Sequence, residues 1–350
     1  MLFKSNGKFL LTGEYLVLKG ATALALPLKK GQSLEAEVLD SNDNLIYWDA
    51  FYKSTDDYKD AESQSRKVAK SESTVNANNL LQSSEFRVLS SEFNSHNHWF
   101  SAVLDKNDFS IKSTDDKEKA ERLSDILSKA KALNSNIFTE AHDYSFRTHL
   151  DFDPQWGLGS SSTLINNIAE WADINPYKLL DQTFKGSGYD IACAKSNHPI
   201  FFRIMKDNPH SISQNIEAAN FDPSFKDNLY FVYHGHKQNS AREIKAFLSK
   251  NKNFDNEIKS ISEISEAIPN IQTLRDFCYF IKIHEEITAA CLEQKRLKKY
   301  FNDFEGEIKS LGAWGGDFFL VATEWNEQKV KKYFDSKELN IVFKYQDIVL

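Results

Sequence analysis

The chain has 350 residues, with 43 Lys and Arg against 50 Asp and Glu and a formal charge of -7, so bulk charge gives no support for nucleic-acid binding or a polybasic membrane patch. A hydrophobic content of 41% and a mean hydropathy of -0.51 describe a soluble globular chain, long enough for roughly two domains at ~100–200 residues each. Cys193, Cys278 and Cys291 form no CxxC or Cys/His cluster, which excludes a zinc site of the usual spacing and fits a reduced, cytoplasmic compartment.

At the N-terminus, Asn6, Gly7, Lys8, Gly13 and Glu14 interrupt the apolar residues, so no signal-peptide core is expected. No apolar run approaches the ~18 residues of a spanning helix. Phe9–Leu11 and Tyr15–Leu18 flank Thr12-Gly13-Glu14 and read as strand, turn and strand. A further strand over Ala21–Leu28 is expected to end at Lys29-Lys30-Gly31, before an alternating strand over Ser33–Leu39. Residues 53–97 are rich in Ser, Asn and charge and read as a flexible insertion. An amphipathic helix follows, with Leu123, Ile126, Leu127, Ala130 and Leu133 on one face.

Helices are expected from about Ser161 to Ala172 and again after Asn175-Pro176. Strands are expected at Ile200–Met205, Leu229–Tyr233, Phe318–Thr323 and Ile341–Tyr345, with helices from about Ser240 and between Asn253 and Phe301. Residues 209–227 read as a polar connection and domain boundary. The expected class is α+β, with helices on one face of an antiparallel sheet in the second half.

Four segments carry chemistry. Trp156-Gly157-Leu158-Gly159-Ser160-Ser161-Ser162-Thr163 leads into an apolar helix. Two glycines let the backbone curl, and the helix start supplies amide donors and a positive dipole end, a cradle for phosphate. The alternative is a Ser-rich turn with a good cap. Lys185-Gly186-Ser187-Gly188-Tyr189-Asp190-Ile191-Ala192 sets a carboxylate at the head of a small-residue segment, either as a general base or as a helix cap. Lys8, in Gly7-Lys8-Phe9-Leu10-Leu11-Thr12-Gly13-Glu14-Tyr15, points an ammonium into a cleft or lies on a solvated edge. Leu311-Gly312-Ala313-Trp314-Gly315-Gly316-Asp317-Phe318-Phe319 crowds glycines around an indole. His234-Gly235-His236-Lys237 has no third ligand nearby and reads as a polar turn.

In order and spacing these segments resemble the motifs of the GHMP kinases (galacto-, homoserine, mevalonate and phosphomevalonate kinases). GEYLVL and GSGYDIA are most similar to the mevalonate and phosphomevalonate branch. The resemblance spans nearly the whole chain outside 53–97. It implies a two-domain GHMP kinase fold: a ribosomal-protein-S5-like β/α domain over 1–208, and a ferredoxin-like α+β domain over 209–350.

The resemblance also implies roles. Asp190 would be the catalytic base, and Lys8 would hold it ionised. Gly157, Leu158, Gly159, Ser160, Ser161 and Ser162 would cradle ATP. Ser161 would hold Mg²⁺, with Asp181 as the nearest acid for a second ligand, at imperfect spacing. Glu14, Gly188, Tyr189, Lys237, Gly312, Trp314 and Gly315 fall where the acceptor would bind, and Glu14 orients Lys8 or substrate or forms a structural ion pair. Trp314 stands where the related motif has glycine. The implied activity is ATP-dependent phosphorylation of mevalonate or phosphomevalonate by a cytoplasmic monomer or homodimer, without nucleic-acid or membrane partners. The alternatives are another acceptor, such as homoserine or a sugar, and a non-catalytic nucleotide-binding protein on the same fold. Lys185, Lys195, Arg203, Lys237 and Arg242 are the candidate cations for a phosphorylated acceptor.

Overall fold

The computed structural model describes residues 1–58, 97–139, 141–208, 211–235, 240–250, 252–312, 314 and 316–350. Apart from 53–58 and 97, the expected insertion lies outside the described residues. The chain divides into two compact units, one of residues 1–3 and 32–154, the other of 4–31 and 155–350. Two strands run through both: β1 (Leu2–Leu10) and the 17-residue β2 (Ala23–Leu39).

In the first unit, β3 (Leu45–Tyr52), β4 (Asn97–Asp105), β5 (Ile111–Thr114), α1 (Lys117–Leu133) and β6 (Asp143–Leu150) follow the end of β2. The strand order is β5-β4-β3-β6-β2. β6 runs antiparallel to β2 over Gln32–Leu39 and parallel to β3. Asp116 caps α1 by accepting the Lys119 N–H at 3.0 Å. Of the apolar stripe read from sequence, Leu123, Ile126, Leu127 and Ala130 are buried, joined by Ala120, while Leu133 is half-buried.

The second unit contains α2 (Ser160–Trp171), α3 (Pro176–Gln182), α4 (Tyr189–Lys195), β7 (Ile200–Asn208) and β8 (Ser211–Ala218). β9 (Leu229–Tyr233), α5 (Ser240–Leu248), α6 (Asp255–Ala267) and α7 (Leu274–Leu292) come next. Then follow β10 (Glu307–Ser310), β11 (Phe318–Ala322), α8 (Glu327–Asp335) and β12 (Val342–Lys344). The start of β2 pairs with β7, and β7 with β8. β10-β11-β9-β12 form an antiparallel sheet. One face of it packs Tyr230, Val232, Phe319 and Val321 against Phe301, Val330 and Phe334. The other face is covered too, by Phe9 and Trp156, so helices do not account for all of its burial.

Three sequence expectations are corrected. Tyr15 takes φ 62, which ends extended structure, and Leu16–Lys19 forms a single 3₁₀ turn rather than a strand. Gly31 does not end a strand. It lies inside β2, where a Cβ would fall 2.1 Å from the Ser5 carbonyl oxygen, so glycine is needed for close backbone approach. Residues 209–227 are not all connection, because β8 occupies Ser211–Ala218 and closes a hairpin with β7. The expected domain boundary after residue 208 falls in that hairpin, within the second unit.

Candidate functional site

The site is built where β1, the segment before α2 and the head of α4 meet. Bulky side chains beside the functional residues fix them to the second sheet. Phe9, next to Lys8, stacks on Phe231 at 4.5 Å between centroids. Trp156, next to Gly157, is fully buried against Phe318 and Phe343 at 5.8 and 5.4 Å. These contacts hold Lys8 and the glycine loop side by side. The Lys8 N–H donates to the Leu158 carbonyl at 3.0 Å, and Lys8 Nζ donates to the Gly157 carbonyl at 2.9 Å.

Gly157 and Gly159 take φ 67 and 101, the left-handed region that glycine tolerates. A Cβ on Gly159 would press to 3.3 Å from Lys8 Cγ, and one on Gly157 would meet the Asp317 carboxylate. Gly159 is the N-cap of α2 and offers no capping side chain, so the first-turn amides remain available to an anion. Ser161 is exposed, Ser160 is half-buried and Ser162 is buried. The Ser162 hydroxyl donates to Asp190 Oδ2.

Asp190 lies in the first turn of α4, behind Gly188 in the left-handed conformation. The Tyr189 ring lies 5.8 Å from the Lys8 ammonium, and its hydroxyl is pushed well up by burial and then by Asp190. Burial also pushes the Cys193 thiol up, with Asp190 acting in the same direction and Lys8 against it. Lys8 and Asp190 therefore act on the same buried atom from opposite electrostatic sides.

Neither a protein-family model nor a curated protein sequence matches the chain. Solved structures do. A mevalonate kinase crystal structure shares 15% identity over 98% of both chains, with a TM-score of 0.59. The Methanococcus jannaschii mevalonate kinase shares 17%, over 98% of this chain and 96% of that one, also at 0.59. The Streptococcus pneumoniae phosphomevalonate kinase in complex with phosphomevalonate and AMPPNP shares 14%, over 98% and 99%, at 0.58. The chain has the GHMP kinase fold.

On the GHMP kinase fold the expected residues divide into those brought together and those set apart. Lys8 is hydrogen-bonded to Gly157 and Leu158 at one end of the glycine loop and Ser162 to Asp190 at the other, with Gly159 between them. The direct Lys8–Asp190 pair expected from sequence does not form, because the ammonium is taken by the Gly157 carbonyl and the carboxylate by Ser162. Gly188 makes room for the Tyr177 ring, which a Cβ would approach to 3.0 Å. Gly312 takes φ 67, with open space where a Cβ would stand. Lys237 and Gly315 lie outside the described residues.

Glu14 does not orient Lys8. It forms the structural ion pair, a buried one, with Lys309 of β10. Trp314 is 6% exposed. Its backbone N–H donates to Tyr15 Oη at 2.8 Å and its indole N–H to the Lys295 carbonyl at 3.2 Å. Among the candidate cations, Arg203 donates to the Gly20 carbonyl at 3.0 Å, and Lys195 lies 3.9 Å from Glu170.

A magnesium ion would meet few protein donors here. Ser161 offers one exposed hydroxyl beside the cradle, enough for an ion that keeps phosphate and water oxygens as its other ligands. Asp181 is exposed on α3 and makes no ion pair among the described residues. No group of three His, Cys, Asp or Glu side chains is arranged for a metal among those residues.

Sequence reasoning passed over His284, Glu285, Lys309 and the placement of Asp317.

Proposed function

We propose that the chain is an ATP-dependent kinase transferring the γ-phosphoryl group to a small alcohol or phosphomonoester, with mevalonate or phosphomevalonate as acceptor. One observation carries the reading. The cradle Gly157–Ser162 is hydrogen-bonded at its first residue to Lys8 and at its last to Asp190. Cation, anion cradle and base thus belong to one connected set. Phosphoryl transfer asks for this kind of positioning and charge neutralisation more than for covalent chemistry.

In this reading the α2 amides with Ser160 and Ser161 hold the ATP phosphates. Asp190 accepts the proton of the acceptor hydroxyl, steered by the Ser162 hydroxyl. Lys8 stabilises negative charge near the attacking oxygen. Magnesium, held by Ser161, neutralises phosphate charge when bound. Gly312 and Gly315, with Gly188, Tyr189 and Lys237, belong to the acceptor side, whereas Trp314 is held in the turn by its own burial and hydrogen bonds. The choice of the mevalonate branch rests on GEYLVL and GSGYDIA. A cytoplasmic location belongs to the same proposal; among the described residues no helix is long and apolar enough to cross a membrane.

The test is ADP release with mevalonate, phosphomevalonate, homoserine and galactose. Turnover is expected with one of the first two. Turnover with only homoserine or galactose refutes the acceptor assignment, and ATP binding without turnover on any acceptor refutes the kinase reading.

A further inference from the structure

Behind the glycine turn, four ionisable side chains meet away from solvent. Glu14 follows β1, His284 and Glu285 lie on α7, and Lys309 lies on β10; none exceeds 2% exposure. The Lys309 ammonium pairs with Glu14 Oε1, donates to the Ser310 carbonyl at 2.8 Å and lies 3.7 Å from Glu285 Oε1. His284 Nε2 accepts the Gly13 N–H at 3.0 Å, so that nitrogen carries no proton. Burial holds the imidazole neutral.

One cation therefore faces two carboxyls. Arg296, the next cation, is engaged by Glu307 at 2.6 Å and Glu286 at 3.3 Å. From α6 the facing group is the uncharged Ser265, hydrogen-bonded to Thr12 at 2.7 Å. A second buried negative charge without a partner costs several kcal/mol, so one carboxyl keeps a proton. Glu14 sits directly on the ammonium. Glu285 lies farther off, and neither of its oxygens makes a hydrogen bond. Burial pushes its carboxyl up to about 8.

These residues lie at the roots of two site segments. Gly13–Tyr15 continue the strand that carries Lys8, and Lys309-Ser310 lead into the turn at Gly312. The Trp314 N–H closes the connection onto Tyr15 Oη. We propose that Lys309, with Glu285 keeping the proton of the cluster, is a positioning residue that locks segment 12–15 to the turn at Gly312 and Trp314, and so sets the Lys8 end of the site. The role in turnover rests on the kinase reading above, whereas the lock itself does not.

Amide hydrogen exchange on the full chain at pH 7 and pH 9 tests the lock. In Lys309→Met, protection at Gly13 and Trp314 should fall by at least about tenfold while β3 amides keep wild-type protection. In Glu285→Gln, protection at both positions should stay the same from pH 7 to pH 9, where the wild type loses about tenfold as the second carboxyl ionises. If Lys309→Met does not fold, Glu285→Gln alone decides. Wild-type protection at Gly13 and Trp314 in Lys309→Met, or a wild-type loss at pH 9 in Glu285→Gln, overturns the proposal. In the ADP assay, Lys309→Met should lower kcat about tenfold or more, with the ATP KM nearly unchanged. Equal loss in kcat and in global stability would reduce Lys309 to a structural role. A wild-type chain inactive on every acceptor refutes the kinase reading and leaves the exchange result to decide the lock.

Discussion

Glu285→Gln removes a titratable group while keeping its shape. In the folded chain burial pushes this carboxyl from 4.5 up to about 8. An unfolded chain releases the proton near 4.5, so between these values the folded state binds more protons. Stability from this group is complete below about pH 4.5 and is lost as pH rises through about 8. The greatest slope is one proton, about 1.4 kcal/mol per pH unit, which over this interval gives a ceiling of about 5 kcal/mol. Urea unfolding of wild type and variant between pH 5 and pH 9 measures it. Glu14 shares Lys309 with Glu285, so the difference between the two curves reports the loss of the second carboxyl from this pair. That difference should grow in favour of the variant across the window. Parallel curves would refute the buried, protonated carboxyl.

Gly159→Ala forces a side chain into φ 101 and toward Lys8 Cγ at 3.3 Å. It should cost roughly 1–2 kcal/mol in stability and raise the ATP KM, read by unfolding and by ADP release; an unchanged KM would separate the loop from the nucleotide. Trp314→Phe loses the indole bond to the Lys295 carbonyl. It should lower stability by about 1 kcal/mol and leave acceptor preference unaltered. A changed preference in the acceptor panel would instead put the indole against substrate.

Much of the fold was legible because its elements obey simple periodicity. The α1 stripe and the helix after Gly159 stand close to where the pattern set them. β10 was not legible. Glu307-Ile308-Lys309-Ser310 reads as an exposed stretch, yet all four residues are buried. Arg296 neutralises Glu307 and Glu14 neutralises Lys309, and pairing across a separation of 295 residues leaves no local signal. The long β2 was hidden by Gly31, whose glycine serves close approach to β1 rather than a turn.

The candidate site was legible as a set of segments, since Lys8, the glycine loop and Asp190 are drawn together. Its wiring was not. Which donor meets Asp190 depends on side-chain direction at the starts of α2 and α4, and the answer is Ser162 rather than Lys8. Trp314, conspicuous among glycines, is explained by burial and two hydrogen bonds that sequence spacing does not reveal.

In the proposed reaction Asp190 accepts a proton from a small-molecule acceptor while the Gly157–Ser162 loop holds ATP. Asp190→Asn keeps the size of the side chain and removes its basicity. ADP release with mevalonate or phosphomevalonate should fall by at least about 10²-fold, with ATP affinity by calorimetry within about twofold of wild type, since the base is not asked to hold phosphate. Turnover at the wild-type rate in Asp190→Asn would rule out Asp190 as the base.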